Sequence, residues 1–321
     1  MPAARTFTSA LGPLLGVLLA GLGIAPVLSA AAGPAPGPRL AGAPACSVFP
    51  ADNPWNVRVD SLPVARDSDA IIRSIGVDTG LHPDFGSGLW EGSPIGIPIT
   101  VVSSKQPRAR VGFGYAGESD KGPYPIPANV RVEGGSDRHA IIVDRDRCML
   151  YELFALERTG AGRWHAGSGA IWDLRSNRLR PAGWTSADAA GLPILPGLAR
   201  YDEVARGRID HALRFTVERT RRAYVYPARH FASDLTDASL PPMGLRVRLR
   251  ANYPTKGFPP QARTVLEALK RYGMIVADNG SSWYITGAPD PRWDNDDLHS
   301  LGRVQGKDFE VVDGSRLRPA A

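Results

Sequence analysis

The fold class follows from the stretch Gly273-Met-Ile-Val-Ala-Asp-Asn-Gly-Ser-Ser-Trp-Tyr-Ile-Thr286, which predicts two short strands and a turn. Apolar and aromatic residues fill both ends of the stretch, and Asp278-Asn279-Gly280 between them is a strong hairpin signal. Similar short runs, separated by Gly, Pro, Asp or Asn, are residues 97–102, 110–115, 139–143, 149–156, 170–174, 212–218 and 245–250. Helical periodicity is convincing only at residues 68–75 and 261–272. The sequence therefore predicts a mainly β protein, a sandwich or jelly roll or a barrel-like single domain, with a few short helices.

The composition excludes several classes of protein. Gly (35) and Pro (29) make up about a fifth of the 321 residues, which argues against a coiled coil or another long-helix protein. The formal charge is +6, but the basic residues are mostly Arg and are scattered along the chain. Because no Lys/Arg-rich block is present, nucleic acid is not an expected partner.

The first 45 residues are expected to lie outside the folded domain. Residues 1–32 have the pattern of a secretory signal peptide: Arg5, an apolar run at 11–28, and then Ser29-Ala30-Ala31-Ala32. An uncleaved membrane anchor is the alternative, but prolines and glycines within the run favour cleavage. Residues 33–45 predict a Pro/Gly/Ala linker, and residues 46–321 predict a single β-rich globular domain. We therefore expect a secreted, extracellular protein with no membrane contact after cleavage.

Two cysteines, Cys46 and Cys148, are present in the chain. In an exported protein they predict one disulfide, with two free buried thiols as the alternative. A disulfide leaves no thiol for nucleophilic catalysis.

Familiar catalytic patterns are missing from the sequence. It has no Gly-x-Ser-x-Gly elbow, no His-Glu-x-x-His or Cys-x-x-Cys zinc pattern, no phosphate loop and no dinucleotide fingerprint. Neither a cofactor nor a metal is therefore expected. What remains is acid–base chemistry by carboxylates and histidines.

Four titratable residues are the catalytic candidates. Glu152, His211 and His139 lie on apolar faces of predicted strands, where each needs a partner. Glu203 lies just upstream of the His211 strand, on a segment short enough to fold back over its start. We expect Glu152, Glu203 and His211 to converge at the floor of a cleft, with His139 close by. A buried ion pair with a purely structural role is the alternative.

Further residues are candidates for substrate binding. They are Glu118, Asp120, Trp184 and His230 on predicted loops, and Arg214 and Tyr151 on predicted strands. Asp278 is interpreted as a turn residue, and Asp188 as a residue that could cap a helix.

The run Leu245-Arg-Val-Arg-Leu-Arg250 predicts a strand with one buried face. Alternation turns Leu245, Val247 and Leu249 inward. The three arginines are then expected to face solvent, or to line a groove for an acidic ligand.

Two functions from different classes fit these residues. The first is a glycan-active enzyme, either a glycoside hydrolase or a polysaccharide lyase. The carboxyl pair of the hydrolase would be Glu152 and Glu203, with Glu118 and Asp120 as substitutes. In the lyase, an arginine would neutralise a uronate while His or Tyr moves protons. His211 with Arg214, and Tyr151 with His139, would fit these roles. The alternative is a non-catalytic binding protein, which needs aromatic and Arg side chains but no carboxyl pair. In both cases we expect a monomer whose partner is an extracellular polysaccharide or a cell-wall glycan.

Several blocks of sequence resemble an uncharacterised family of secreted bacterial proteins. The blocks are Phe49-Pro-Ala-Asp-Asn-Pro-Trp-Asn56, Leu81-His-Pro-Asp-Phe-Gly86, Glu118-Ser-Asp120, Gly122-Pro-Tyr-Pro-Ile-Pro127, Gly183-Trp-Thr-Ser-Ala-Asp-Ala-Ala-Gly-Leu-Pro193, Ile209-Asp-His-Ala-Leu-Arg-Phe215 and Tyr272-Gly-Met-Ile-Val-Ala-Asp-Asn-Gly280. The resemblance covers nearly all of the chain after the signal peptide. It implies export and a single structural unit, and it implies no activity, fold or catalytic residue.

Overall fold

A computed structural model describes residues 37–317. The described chain is mainly β with a few short helices, as the sequence predicts, and within it no sheet closes into a barrel. The predicted signal peptide at 1–32 lies outside the described residues. In the part of the chain that the structure describes, no helix is long and apolar enough to cross a membrane.

The secondary-structure elements are short throughout. The strands are β1 (Arg39–Leu40), β2 (Ala43–Ser47), β3 (His82–Asp84), β4 (Leu89–Trp90), β5 (Ser93–Pro94), β6 (Ile99–Val102), β7 (Val111–Phe113), β8 (Ala140–Asp144), β9 (Met149–Phe154), β10 (Glu157–Gly160), β11 (Arg163–Ala166), β12 (Ser168–Asp173), β13 (Leu213–Val217), β14 (Arg246–Leu249), β15 (Met274–Asn279), β16 (Tyr284–Thr286) and β17 (Phe309–Val311). The α-helices are α1 (Ser68–Ile75), α2 (Tyr201–Val204), α3 (Pro260–Arg271) and α4 (Asn295–His299). Single 3₁₀ turns cover Ala116–Glu118, Leu195–Gly197, Ser300–Arg303, Gly306–Asp308 and Gly314–Leu317.

The two predicted helices are α1 and α3. Each buries the side that its apolar spacing indicates: Ile71, Ile72 and Ile75 in α1, and Val265, Leu266 and Leu269 in α3. Both helices pack into the same hydrophobic core as the larger sheet, so this part of the sequence prediction is confirmed.

The larger sheet, sheet A, has six strands in the order β17-β14-β15-β13-β16-β3. Its central strand β13 runs parallel to β15 and antiparallel to β16. The predicted hairpin at 273–286 is therefore wrong, because β15 and β16 pair with opposite edges of β13 and not with each other. Gly280 and Trp283 close the connection by donating their backbone N–H groups to β13, at 3.0 Å to Val217 O and 3.2 Å to Thr216 O.

The physical reason for this difference is that the turn signal reports only on local conformation. The side chains of Leu213, Phe215 and Val217 in β13 are completely buried. Inserting β13 between the two strands therefore buries more apolar surface than a two-stranded hairpin would.

Sheet B has four strands in the order β12-β9-β8-β6. Every residue of β8 is buried, and apolar clusters cover both faces of the sheet. Cys148 lies directly before β9 and is bonded to Cys46 in β2, so the predicted disulfide is confirmed. Smaller sheets are β10-β11-β7, β1-β2 and β4-β5.

The hairpin β1–β2 begins within the segment predicted to be a linker and ends just after it. Leu40 and Ala43 are buried in the core cluster that also contains Cys46. The described part of this segment is therefore packed, and the folded body begins before Cys46. Pro44 is compatible with this pairing because an edge strand tolerates a missing N–H donor.

Strand β14 confirms one half of its prediction and contradicts the other. Leu245, Val247 and Leu249 are buried as expected, but Arg246 and Arg248 are buried too. The segment at 54–62 covers the second face of the strand, and its carbonyl oxygens accept hydrogen bonds from both guanidinium groups. Arg248 is also bonded at 2.8 Å to Glu310 in the neighbouring strand β17. These two arginines therefore neither face solvent nor line a groove for an acidic ligand.

Candidate functional site

A cavity of about 330 Å³ lies where the end of β9 in sheet B approaches the end of β15 in sheet A. The carboxyl groups that line it are Glu118, Asp137, Asp188 and Asp278. Its other walls include Tyr115, Phe154, Ser168, Thr185 and His230. We call this cavity the acidic pocket, because carboxyl groups outnumber basic groups in its lining.

An ion pair between β13 of sheet A and the loop that carries Asp188 lies at the inner wall of the acidic pocket. Arg214 in β13 donates to both carboxylate oxygens of Asp188, at 2.9 and 2.8 Å. The same guanidinium donates at 2.6 Å to the hydroxyl of Thr286 in β16. The side chain of Asp188 is completely buried, and the two hydrogen bonds from Arg214 offset the free-energy cost of removing its carboxylate from water.

Asp278 is placed in the acidic pocket by a β-bulge. Phe215 pairs with Val276, but the next residue, Thr216, pairs with Asp278, so Ala277 is the extra residue. A bulge bends its strand and redirects the side chains that follow. About a quarter of the Asp278 side chain remains exposed (24%), and its Oδ2 lies 3.9 Å from Arg214 Nη2.

The environment of Asp278 favours its protonated form. Burial is the largest cause, followed by the charge of the adjacent Asp188; the charge of Arg214 opposes them, and the pKa of Asp278 is raised to about 8. A hydrogen bond between the Asp188 and Asp278 carboxyls acts in the same direction. Asp278 therefore holds its proton near neutral pH.

His139 lies behind the pocket and holds the loop that carries Asp188. Its Nδ1 is 2.5 Å from Glu133 Oε2, and its Nε2 is 3.0 Å from the carbonyl oxygen of Ala187. Burial alone would lower the pKa of His139, but the hydrogen bond and the charge of Glu133 outweigh burial and raise the pKa to about 9. A charged imidazolium fits this geometry because both ring nitrogens face acceptors.

The structure brings together only part of the predicted catalytic set. His211 Nε2 lies 2.9 Å from Glu203 Oε2, and Arg200 bonds the other oxygen of Glu203. Glu152, also completely buried, instead accepts backbone N–H groups of Ile194 and Leu195 at 2.9–3.0 Å. Leu195 connects the two groups, because its N–H donates to Glu152 and its carbonyl accepts from Arg200, the partner of Glu203. These side chains hold the segment at 194–211 in place, and none of them lines the acidic pocket.

The predicted binding residues are divided among several locations. Glu118 and His230 line the acidic pocket, where Glu118 Oε2 accepts the N–H of Thr185 at 2.9 Å and lies 3.9 Å from His230 Nε2. Asp120 and Trp184 line a neighbouring cavity. Tyr151 is buried on the opposite face of β9 from Glu152, and its hydroxyl accepts from Arg108 at 2.9 Å. Tyr151 and His139 therefore do not form the pair that the lyase hypothesis needs.

Sequence reasoning missed two residues of the acidic pocket, Asp188 and Asp278. One signal was present: Arg214 lies in the middle of an apolar strand, where a guanidinium needs a buried carboxylate. That requirement pointed to an acidic partner without saying which residue supplies it. Nothing local indicated the bulge that directs Asp278 into the pocket.

Three groups of this region make stability depend on pH in the same direction. Burial raises the pKa of Glu152 to about 7, and the pKa values of Asp278 and His139 are raised to about 8 and about 9. A raised pKa means that the folded state binds protons more tightly than the unfolded state. Stability is therefore complete below the usual pKa of each group and is lost as pH rises through the folded value.

We predict that the melting temperature falls steadily as pH is raised from 5 to 9. Glu152→Gln should flatten the part of this fall below pH 7, because Gln cannot ionise and its carbonyl still accepts the two N–H groups. Melting curves over this pH range test the prediction, with Glu157→Gln on an exposed edge strand as the control. A melting temperature that rises across the range would contradict it.

Comparison with known proteins gives no assignment. No protein-family model, no curated protein and no solved structure matches this chain. Among residues 37–317, no group of three or more His, Cys, Asp or Glu side chains is arranged to hold a metal ion. Function is therefore inferred from the chemistry of the acidic pocket.

Proposed function

We propose that this protein is an exported glycoside hydrolase whose general acid is Asp278. The observation that carries the proposal is a partly exposed carboxyl group in the wall of a cavity, beside a second, buried carboxylate. Burial and this neighbour raise its pKa to about 8. A general acid must still hold its proton near neutral pH, and burial beside a second carboxylate is how proteins achieve this.

The second carboxyl of the proposed mechanism is Glu118. It lies in the same cavity and is oriented by the N–H of Thr185. Asp278 donates its proton to the glycosidic oxygen as the bond from that oxygen to the anomeric carbon breaks. Glu118 either takes a proton from the attacking water or first bonds the anomeric carbon itself. In the first route, the proton that Glu118 takes returns to Asp278 through solvent. In the second route, Asp278 takes a proton directly from the water that hydrolyses the bond between Glu118 and the sugar. Either route consumes one water.

A hydrolase fits the acidic pocket better than a lyase does. Arg214, the residue expected to neutralise a uronate, is buried and fully engaged with Asp188 and Thr286. The carboxyl groups of the pocket would repel an anionic sugar. A neutral glycan is therefore the substrate class we favour.

An aromatic side chain at the rim supports a sugar ligand. Tyr115 lines the pocket with 59% of its surface exposed, which is unusual for a large aromatic residue. Exposed aromatic surface beside convergent polar groups is typical of a ligand site.

The test of this proposal is Asp278→Asn, assayed on a panel of neutral and uronate glycans. The amide still donates to Asp188, so the variant should keep its fold while it loses the transferable proton. We predict a loss of about 10²–10⁴-fold in kcat on the neutral glycans. The wild-type rate should also decline as pH rises through about 8, where Asp278 ionises.

The control is Asp137→Asn, which removes a carboxylate from the exposed rim of the same cavity. This variant should retain most of the activity, and its rate should still decline as pH rises through about 8. If Asp278→Asn turns over substrate as fast as the wild type, Asp278 is not the general acid. Equal glycan binding by both variants, with no turnover by the wild type, would identify a non-catalytic binding protein.

A further inference from the structure

A second cavity, of about 520 Å³, adjoins the acidic pocket. Its apolar walls include Trp172, Trp184, Leu179 and Pro181, and we call it the tryptophan pocket. The two cavities are lined by neighbouring residues of the same two segments. Glu118 and Thr185 line the acidic pocket, whereas Asp120 and Trp184 line the tryptophan pocket.

The ridge between the cavities is held together by one buried side chain, Arg180. Its guanidinium donates at 2.6 Å to Asp120 Oδ2 and at 2.7 Å to the carbonyl oxygens of Glu118 and Thr185. It also lies 5.7 and 5.5 Å from the ring centroids of Trp172 and Trp184. The two cavities therefore keep a fixed spacing, which a substrate that contacts both of them requires.

We propose that the substrate is an oligosaccharide chain that lies across this ridge. The cleaved bond lies in the acidic pocket, and neighbouring sugar units occupy the tryptophan pocket against Trp184. This inference rests on the proposed hydrolase function and specifies its substrate as a chain of several sugars.

Cavity size and surface chemistry support an extended site. The acidic pocket alone is near the lower limit of ligand cavities, which run from about 300 to about 1,000 Å³. Trp184 is half-buried and has Arg180 over its ring, so its remaining surface faces the second cavity. The carboxylates nearest to this surface are neutralised, because Asp120 pairs with Arg180 and Asp173 pairs with Arg175.

The experiment compares Trp184→Ala with wild type on cello-, xylo-, manno- and chito-oligosaccharides of two to six units. We expect kcat/KM to rise with chain length in the wild type. Trp184→Ala should lower kcat/KM on the longest cleaved oligomer by about 10-fold or more and leave the shortest one nearly unchanged, since a buried Trp is often the dominant contact of an interface.

Two further variants separate binding from folding. Trp184→Phe keeps an aromatic ring and should retain most of the chain-length effect. Trp164→Ala is the matched control, because Trp164 is also half-buried with an arginine, Arg158, 5.8 Å from its ring, and lies at none of the cavities described above. It should leave kcat/KM unchanged at every length.

Calorimetric titration of Asp278→Asn with the same oligomers keeps the two proposals distinguishable. The extended site is supported if affinity rises with chain length and adding Trp184→Ala abolishes this rise. That result would hold even if the wild type proves to have no hydrolase activity. A rate or affinity that Trp184→Ala lowers equally at every length overturns the inference while leaving Asp278 as the acid. Binding of none of the oligomers overturns both.

Discussion

Arg214→Met should lower the free energy of unfolding by roughly 3–5 kcal/mol, because it leaves the carboxylate of Asp188 buried without a counter-ion. Asp188 accepts two of its hydrogen bonds from this one guanidinium and has no solvent exposure. With Asp278 adjacent, the orphaned carboxylate would have to share a proton or recruit water. In a domain of this size, the loss corresponds to a fall in melting temperature of roughly 10 °C.

Asp188→Asn should cost less than Arg214→Met. The amide oxygen of Asn can still accept from Arg214, and Asp278 remains 3.9 Å from the same guanidinium. Without the Asp188 charge, the cation of Arg214 should stabilise ionised Asp278 and lower its pKa. This variant should therefore lose catalytic activity near neutral pH more than it loses stability.

Urea unfolding of the two variants measures this difference. The free energy of unfolding should fall with urea concentration at the same slope in both variants. Equal slopes would show that the loss of stability comes from the native ion pair and not from the compactness of the unfolded chain. Arg222→Met, which replaces a surface arginine, is the control. If Arg214→Met is no less stable than Asp188→Asn, the asymmetry derived from burial is wrong.

Loss of the disulfide should have an effect of similar size. Cys46 and Cys148 are separated by 102 positions, and a loop of that length is worth about 4–5 kcal/mol when cross-linked, on the chain-entropy account. Cys46→Ala with Cys148→Ala should therefore lower the free energy of unfolding by this amount. It should also loosen β2 from the start of β9, which the bond joins.

Unfolding of the wild type with and without reductant gives the same comparison without mutation. The double variant should be insensitive to reductant, which makes it the control. A melting temperature that reductant leaves unchanged in the wild type would show that packing of Cys46 among its buried neighbours carries the stability instead.

Local patterns were sufficient for the coarse features of the fold. The apolar spacing of α1 and α3, the mainly β character and the disulfide each depend on neighbours in sequence or on the cysteine count. The inward face of β14 was predicted for the same reason, since alternation decides which side chains share a face.

Features that depend on distant segments were not predictable in this way. Alternation separates the arginines of β14 from its apolar residues, but it cannot tell that the segment at 54–62 covers them. The Asp-Asn-Gly turn predicts a reversal of the chain and carries no information about β13. Both the position and the pKa of Asp278 depend on distant segments. A bulge in the β13–β15 pairing directs its side chain into the acidic pocket, and burial together with the charge of Asp188 raises its pKa.

The strand order of sheet A also determines when the sheet can form during synthesis of the chain. One edge strand, β3, comes early in the sequence, but among the described residues it pairs in this sheet with β16. The other edge strand, β17, ends at Val311. Pairings between such distant segments fold slowly, because loop closure must precede the contacts that reward it. A nascent chain that stops before β15 leaves β3 unpaired and contains Arg214 without Asp278. A product of synthesis interrupted before β15 therefore lacks part of the acidic pocket.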